Sequence, residues 1–193
     1  MGITTRLIDA AERKFGEKLD YLHDIASASP AAVCKLALFI TFARHRKAAP
    51  LDAYYLASIG AQLSEDCGPC LQIAVNQALA EGVSPWVISS ALAGGASLDA
   101  DGKLYLDFGR AVSANGPETE ELRLKLAEKL SPAAMVDLAI AVAGARVFPT
   151  LKRGLGHAKS CSLVQIRVPG LAAKTAPFPE SRPLGDPESM KFG

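Results

Sequence analysis

Apolar positions recur at helical intervals along most of the chain, and three Ser-Pro steps mark where such runs begin: Ser29-Pro30, Ser84-Pro85 and Ser131-Pro132. A serine that can cap free amides, followed by a proline that has no amide and a preset φ, is a helix start. Pro50 opens a fourth run, Leu51-Asp52-Ala53-Tyr54-Tyr55-Leu56-Ala57. After Pro30, Val33, Leu36, Ala37 and Ile40 keep one face while Leu38 and Phe39 fill others, which predicts a mostly buried helix. Its end, Arg44-His45-Arg46-Lys47, places cations at the negative pole. From Ala133 to Phe148 the chain is apolar nearly all round, the pattern of a central core helix that Pro149 ends or kinks. Amphipathic helices are predicted from Thr5 to about Ile25 and from Pro117 to Leu130. Between Ser97 and Val112, Asp101-Gly102 is a turn signal, and Leu104 to Phe108 suits a short strand or a helix start. No strand-helix-strand alternation is visible, so the expected class is all-α.

Composition adds limits. A chain of 193 residues, 49% hydrophobic and 21% charged, is globular and long enough for one sizeable core. From Pro169 onward five prolines fall in 25 residues with few apolar side chains between them, so the expected division is a helical domain over 1–168 and a Pro-rich C-terminal arm or tail over 169–193. The 21 basic and 20 acidic side chains give a net charge of +1, which draws the chain toward neither nucleic acid nor anionic membrane. Met1 to Asp9 does not read as a signal peptide, and the run from Ala133 to Phe148 contains Asp137 and Arg146 and falls short of the roughly 20 residues of a membrane span. The expectation is a cytoplasmic protein with neither nucleic-acid nor membrane partner.

The chemistry concentrates in Ser64-Glu65-Asp66-Cys67-Gly68-Pro69-Cys70-Leu71. Residues three apart share a helix face, so Cys67 and Cys70 can close a disulfide if Pro69 lies in the first turn of a helix running to Glu81. A helix N-terminus favours a thiolate by about 0.3–1 kcal/mol. Glu65 and Asp66 oppose it by adding negative charge nearby. A redox site here therefore needs a basic partner from elsewhere in the fold or a carboxylate as proton acceptor, for which Glu65 is the leading candidate. Zinc would need two further ligands, and no second Cys-x-x-Cys or His-x-x-x-His occurs, so neither metal nor other cofactor is expected.

Cys-Gly-Pro-Cys is also the redox sequence of the thioredoxins, but those have Trp before the first Cys and an alternating β/α pattern, where this chain has Asp66 and helices. In its organisation from about residue 5 to 168 the chain resembles the carboxymuconolactone decarboxylase and alkylhydroperoxidase D superfamily. The resemblance rests on the N-terminal helix, the apolar helix from Leu36 to Phe42, the Cys67-to-Cys70 helix continuing to Val83, and the late segment from Val147 to Gly156. It implies an alkylhydroperoxidase D-like helical bundle that forms trimers or hexamers. It implies a thiol-dependent oxidoreductase that reduces a hydroperoxide, or exchanges with a disulfide, and draws on an external thiol reductant. In peroxidase members the second Cys attacks and the first resolves, which maps to Cys70 and Cys67, whereas the helix-end argument makes Cys67 the better thiolate. The family's relay His and Glu fall at Ala74 and Tyr55 here. That departure supports an alternative: a non-enzymatic helical homo-oligomer or binding protein that keeps the fold. Lactone decarboxylation has no identifiable acid or base in this chain.

The remaining residues carry plainer expectations. Tyr55 reads as a core tyrosine, Cys34 and Cys161 as buried small apolar residues, and Trp86 as an anchor packed on the dithiol helix. Gln72, Asn76 and Gln77 lie on that helix and suit hydrogen bonds to a small polar substrate. His23 and His45 read as solvated, and His157 as a loop residue able to approach the dithiol.

Overall fold

Each Ser-Pro step caps a helix. In the computed structural model, which describes residues 2–65, 67–157, 165–170 and 174–175, the hydroxyls of Ser29, Ser84 and Ser131 accept from the amides of Ala32, Trp86 and Ala134. The helices are α1 Ile3–Phe15, α2 Asp20–Ala28, α3 Pro30–Ala43, α4 Leu51–Ser64, α5 Gly68–Glu81, α6 Pro85–Leu92, α7 Ala100–Ala114, α8 Thr119–Ala127 and α9 Pro132–Gly154. The ambiguous stretch after Ser97 is helix, because Asp99 accepts from the Gly102 amide and turns the Asp-Gly pair into a first helical turn.

The central helix is α4, not the Ala133–Phe148 run. Ala53, Ala57, Ile59 and Ala61 are wholly buried, and α4 packs against α5, α6, α7 and α9. Small residues let it approach α7 closely: a Cβ on Gly60 would strike the Leu106 carbonyl, and one on Gly109 the Ala57 carbonyl. Each helix therefore offers a glycine where the other's backbone passes. α9 instead buries one side against α3, α4 and α7 and leaves Val136 exposed. It also continues five residues past Pro149, with the Thr150 hydroxyl bonding the Arg146 carbonyl in the turn that the proline interrupts. At 23 residues α9 is long and apolar enough to cross a bilayer, although 44% of that window is buried against the other helices.

Three further expectations are corrected. The single helix from Thr5 to Ile25 is two, because Gly16 takes a left-handed conformation with φ 70° and Glu12 accepts the Leu19 amide, folding α2 back on α1. The helix after Pro30 is not mostly buried: of its residues only Val33 is, while Leu38 is 70% and Phe42 51% exposed. Cys34, expected inside, lies on that same exposed helix.

Past α9 the chain returns to the bundle. Gln165–Ile166 (β1) pairs antiparallel with Lys174–Thr175 (β2), and Ile166 and Val168 are buried in the core. Gln72 of α5 holds this segment, accepting the Arg167 amide at 2.7 Å and donating to its carbonyl at 3.0 Å. Apart from this ladder the regular secondary structure of the described residues is helical, and the class is all-α. Asp66, Cys161 and the tail from 176 to 193 lie outside the described residues.

Candidate active site

Cys67 is the N-cap of α5 and Pro69 lies in its first turn, so both cysteines fall on one side of the helix start. Their sulfurs are 2.6 Å apart, with Cys67 donating to Cys70. Both are buried, and Phe148 of α9 packs against them. The hydrogen bond to Cys70, burial and the neighbouring sulfur's charge push the Cys67 thiol well above its ordinary value, with Lys152 pulling the other way. In the hydrogen bond Cys67 is the donor and Cys70 the acceptor, whereas the helix N-terminus alone suggests Cys67 as the thiolate.

Lys152 is the basic partner from elsewhere in the fold. Its Nζ lies 3.8 Å from Cys67 Sγ and 5.2 Å from the centre of the Tyr21 ring, with only 5% of the residue exposed. The ring face and the soft sulfur give the ammonium partners inside the bundle. Only the continuation of α9 past Pro149 brings it there.

Glu65 is engaged differently from the expected proton acceptor. Its carboxylate accepts from Ser113 at 3.1 Å, Arg146 at 2.8 Å and Arg153 at 2.5 Å, and Arg153 also donates to its backbone carbonyl at 2.9 Å. Burial favours the neutral acid, but Arg153 and Arg146, joined by Ser113, outweigh it and hold the pKa below the usual carboxylate range. A carboxylate so held is a weak base. Its visible work is to tie the loop before Cys67 to α7 and α9. A cation inside an apolar run, as Arg146 is, signals in the sequence that a buried acid waits somewhere, without saying which.

A cavity of about 150 Å³ opens beside the pair, with Cys70 and Lys152 on its wall. Tyr21, Tyr54, Tyr55, Ile73 and Phe148 supply most of the rest, and Arg44, Arg46 and Glu81 stand at its rim. Burial raises the hydroxyls of Tyr21 and Tyr55, and pushes that of Tyr54 up to about 12, so all three stay neutral near pH 7. Ser58 and Gln62 line the cavity from the same face of α4 as Tyr55. The Gln62 Oε1 is buried and has no hydrogen-bond partner among the described residues.

Several candidates serve the fold instead. Gln72 is spent on Arg167, and Asn76 accepts from Gln72 and donates to the Phe15 carbonyl. Gln77 does line the cavity. Trp86 is 57% exposed and is no anchor on α5. His157 lies 2.7 Å from Asp24, and His45 lies 3.6 Å from Asp137. Asp9, Glu12 and His23 each bring one potential metal-ligand atom within 4.8 Å of the others. Glu12 is already committed to the Leu19 amide and to Lys18, so the trio reads as the clasp between α1 and α2.

Comparison with known proteins gives no relative: no family model, no curated protein and no solved structure matches the chain.

Proposed function

We propose that the protein is a thiol-dependent oxidoreductase of alkylhydroperoxidase D type, reducing a hydroperoxide or exchanging with a disulfide at Cys70 and resolving through Cys67. The observation that carries this reading is the pair itself: two sulfurs 2.6 Å apart, the donor backed by Lys152 and the acceptor on a cavity wall. With a hydroperoxide ROOH, the Cys70 thiolate attacks the terminal oxygen and the O–O bond breaks. Sulfur keeps the OH as sulfenic acid, and the alkoxide leaves as ROH with a proton from Lys152. The Lys152 amine then takes the Cys67 proton, Cys67 sulfur bonds to Cys70 sulfur, and the expelled hydroxide leaves as water with that proton. Two electrons pass from the dithiol to the peroxide, and an external thiol reductant restores the pair. A reducing compartment such as the cytoplasm suits such a cycle.

Peroxide consumption by the parent, Cys70→Ser and Cys67→Ser tests this. Cys70→Ser is expected to consume none, and Cys67→Ser to stop after one turnover with a trappable sulfenic acid on Cys70. Equal consumption by all three sinks the proposal.

A second reading, a non-enzymatic homo-oligomer or binding protein, draws on the exposed Leu38, Phe42 and Val136 of α3 and α9. These side chains suit a trimer or hexamer under either reading.

A further inference from the structure

Cys70 and Glu81 lie at opposite ends of α5, and both line the one cavity. Eleven helical steps separate them, about 16 Å at the usual rise. The cavity therefore runs along α5, from the buried sulfurs to a rim where Arg44, Arg46 and Glu81 are 40%, 33% and 38% exposed in their side chains. Its two ends differ in chemistry. At the rim two guanidiniums lie 3.7 and 3.6 Å from the single Glu81 carboxylate, leaving one positive charge in excess. At the sulfur end, close to where α4 finishes at Ser64, the buried Gln62 offers an acceptor that no described residue satisfies. A buried acceptor without a donor is costly, and a ligand that brings an O–H to it removes that cost. Between the ends the wall is aromatic and aliphatic.

Resting on the thiol reading above, we propose that the cavity takes an elongated organic acid bearing a hydroperoxide, its O–OH donating to Gln62 beside Cys70 and its carboxylate lying against Arg44 and Arg46. A disulfide has no hydrogen to give Gln62, so of the two substrate classes this site selects the hydroperoxide. Hydrogen peroxide has the donor but neither the apolar body nor the anion, and is the poorer substrate. The apolar wall orients the chain, and Gln62 holds the terminal oxygen toward the sulfur.

The test compares a hydroperoxy medium-chain carboxylic acid with its methyl ester on the full chain. The parent is expected to prefer the acid in kcat/KM by about tenfold, and Arg44→Gln combined with Arg46→Gln to abolish the preference. Gln62→Met is expected to lower kcat/KM for the hydroperoxide about tenfold while leaving the rate with a small aromatic disulfide within about twofold. The parent alone gives an independent readout: the product hydroxy acid should protect Cys70 from alkylation, and its ester should not. If hydroperoxides are consumed but acid and ester react and protect equally and Gln62→Met is as fast as the parent, this assignment falls and the thiol reading stands. If the parent consumes no hydroperoxide but exchanges with the disulfide, this assignment falls and the thiol reading stands; if it does neither, both fall.

Discussion

Lys152 stands 85 residues beyond Cys67 in the chain and 3.8 Å from it in space. Its ammonium favours the charged form of the Cys67 sulfur. Lys152→Met keeps the stem packed on Tyr21 and removes the charge. Alkylation of the pair at pH 7.5 and its oxidation to a disulfide should both slow by about tenfold. Mass spectrometry of a timed iodoacetamide series measures this, and unchanged rates would remove Lys152 from the proposed chemistry.

The clamp on Glu65 makes a pH prediction. Its folded pKa is depressed, so its stabilisation is present above the ordinary value of 4.5 and is lost as pH falls through the lower folded value. Glu65→Gln keeps the shape but loses the charge that the two guanidiniums face. The variant should be destabilised by about 2 kcal/mol at pH 7 and should differ less from the parent as pH drops below the usual carboxylate range. Urea titrations at a series of pH values give the comparison.

Asp137 works in the same sense elsewhere. It is 1% exposed, and one oxygen accepts the amides of Lys47, Ala48 and Ala49 at 2.8, 2.7 and 2.9 Å. Burial favours its neutral form, but the three amides and His45 hold its pKa below the usual value. Asp137→Ala leaves these donors unsatisfied and should cost about 3 kcal/mol, with a lowered thermal midpoint. It should also loosen the loop that carries Arg46, seen as faster amide exchange there.

The crossing of α4 and α7 allows no methyl. Gly60→Ala and Gly109→Ala each force the helices apart and should destabilise by about 1–3 kcal/mol in thermal unfolding. Neither glycine has a left-handed backbone, so the loss reads out spacing alone.

Leu38→Glu with Phe42→Glu places two charges on the exposed side of α3. If that side joins copies of the chain, the double variant should be smaller than the parent by light scattering with little loss of helical content. Equal masses would count against a homo-oligomer built on α3.

What the sequence made legible was local. Ser29, Ser84 and Ser131 announce their helices because a cap and a proline act within three residues, and Pro69 fixes the start of α5 for the same reason. Gly16 broke an apparently continuous amphipathic pattern because Glu12 reaches across the turn to the Leu19 amide, a bond that periodicity does not register. Helix apolarity misjudged depth: α3 is rich in apolar residues yet faces outward, and α4, with Tyr, Ser and Gln among its residues, is the centre. Which apolar helix is covered depends on the others' packing. The dithiol was readable from its spacing, whereas Lys152 reaches Cys67, and Arg146 and Arg153 reach the neighbouring Glu65, over more than 80 residues of chain.

α9 holds the Arg46 loop through Asp137 near its start and the dithiol loop through Arg146, Lys152 and Arg153 near its end. Adding or deleting one residue between these positions would turn one set about 100° away from its partners while leaving the other in place. The helix can therefore absorb many changes of identity on its exposed side, but its length between Asp137 and Arg153 is fixed.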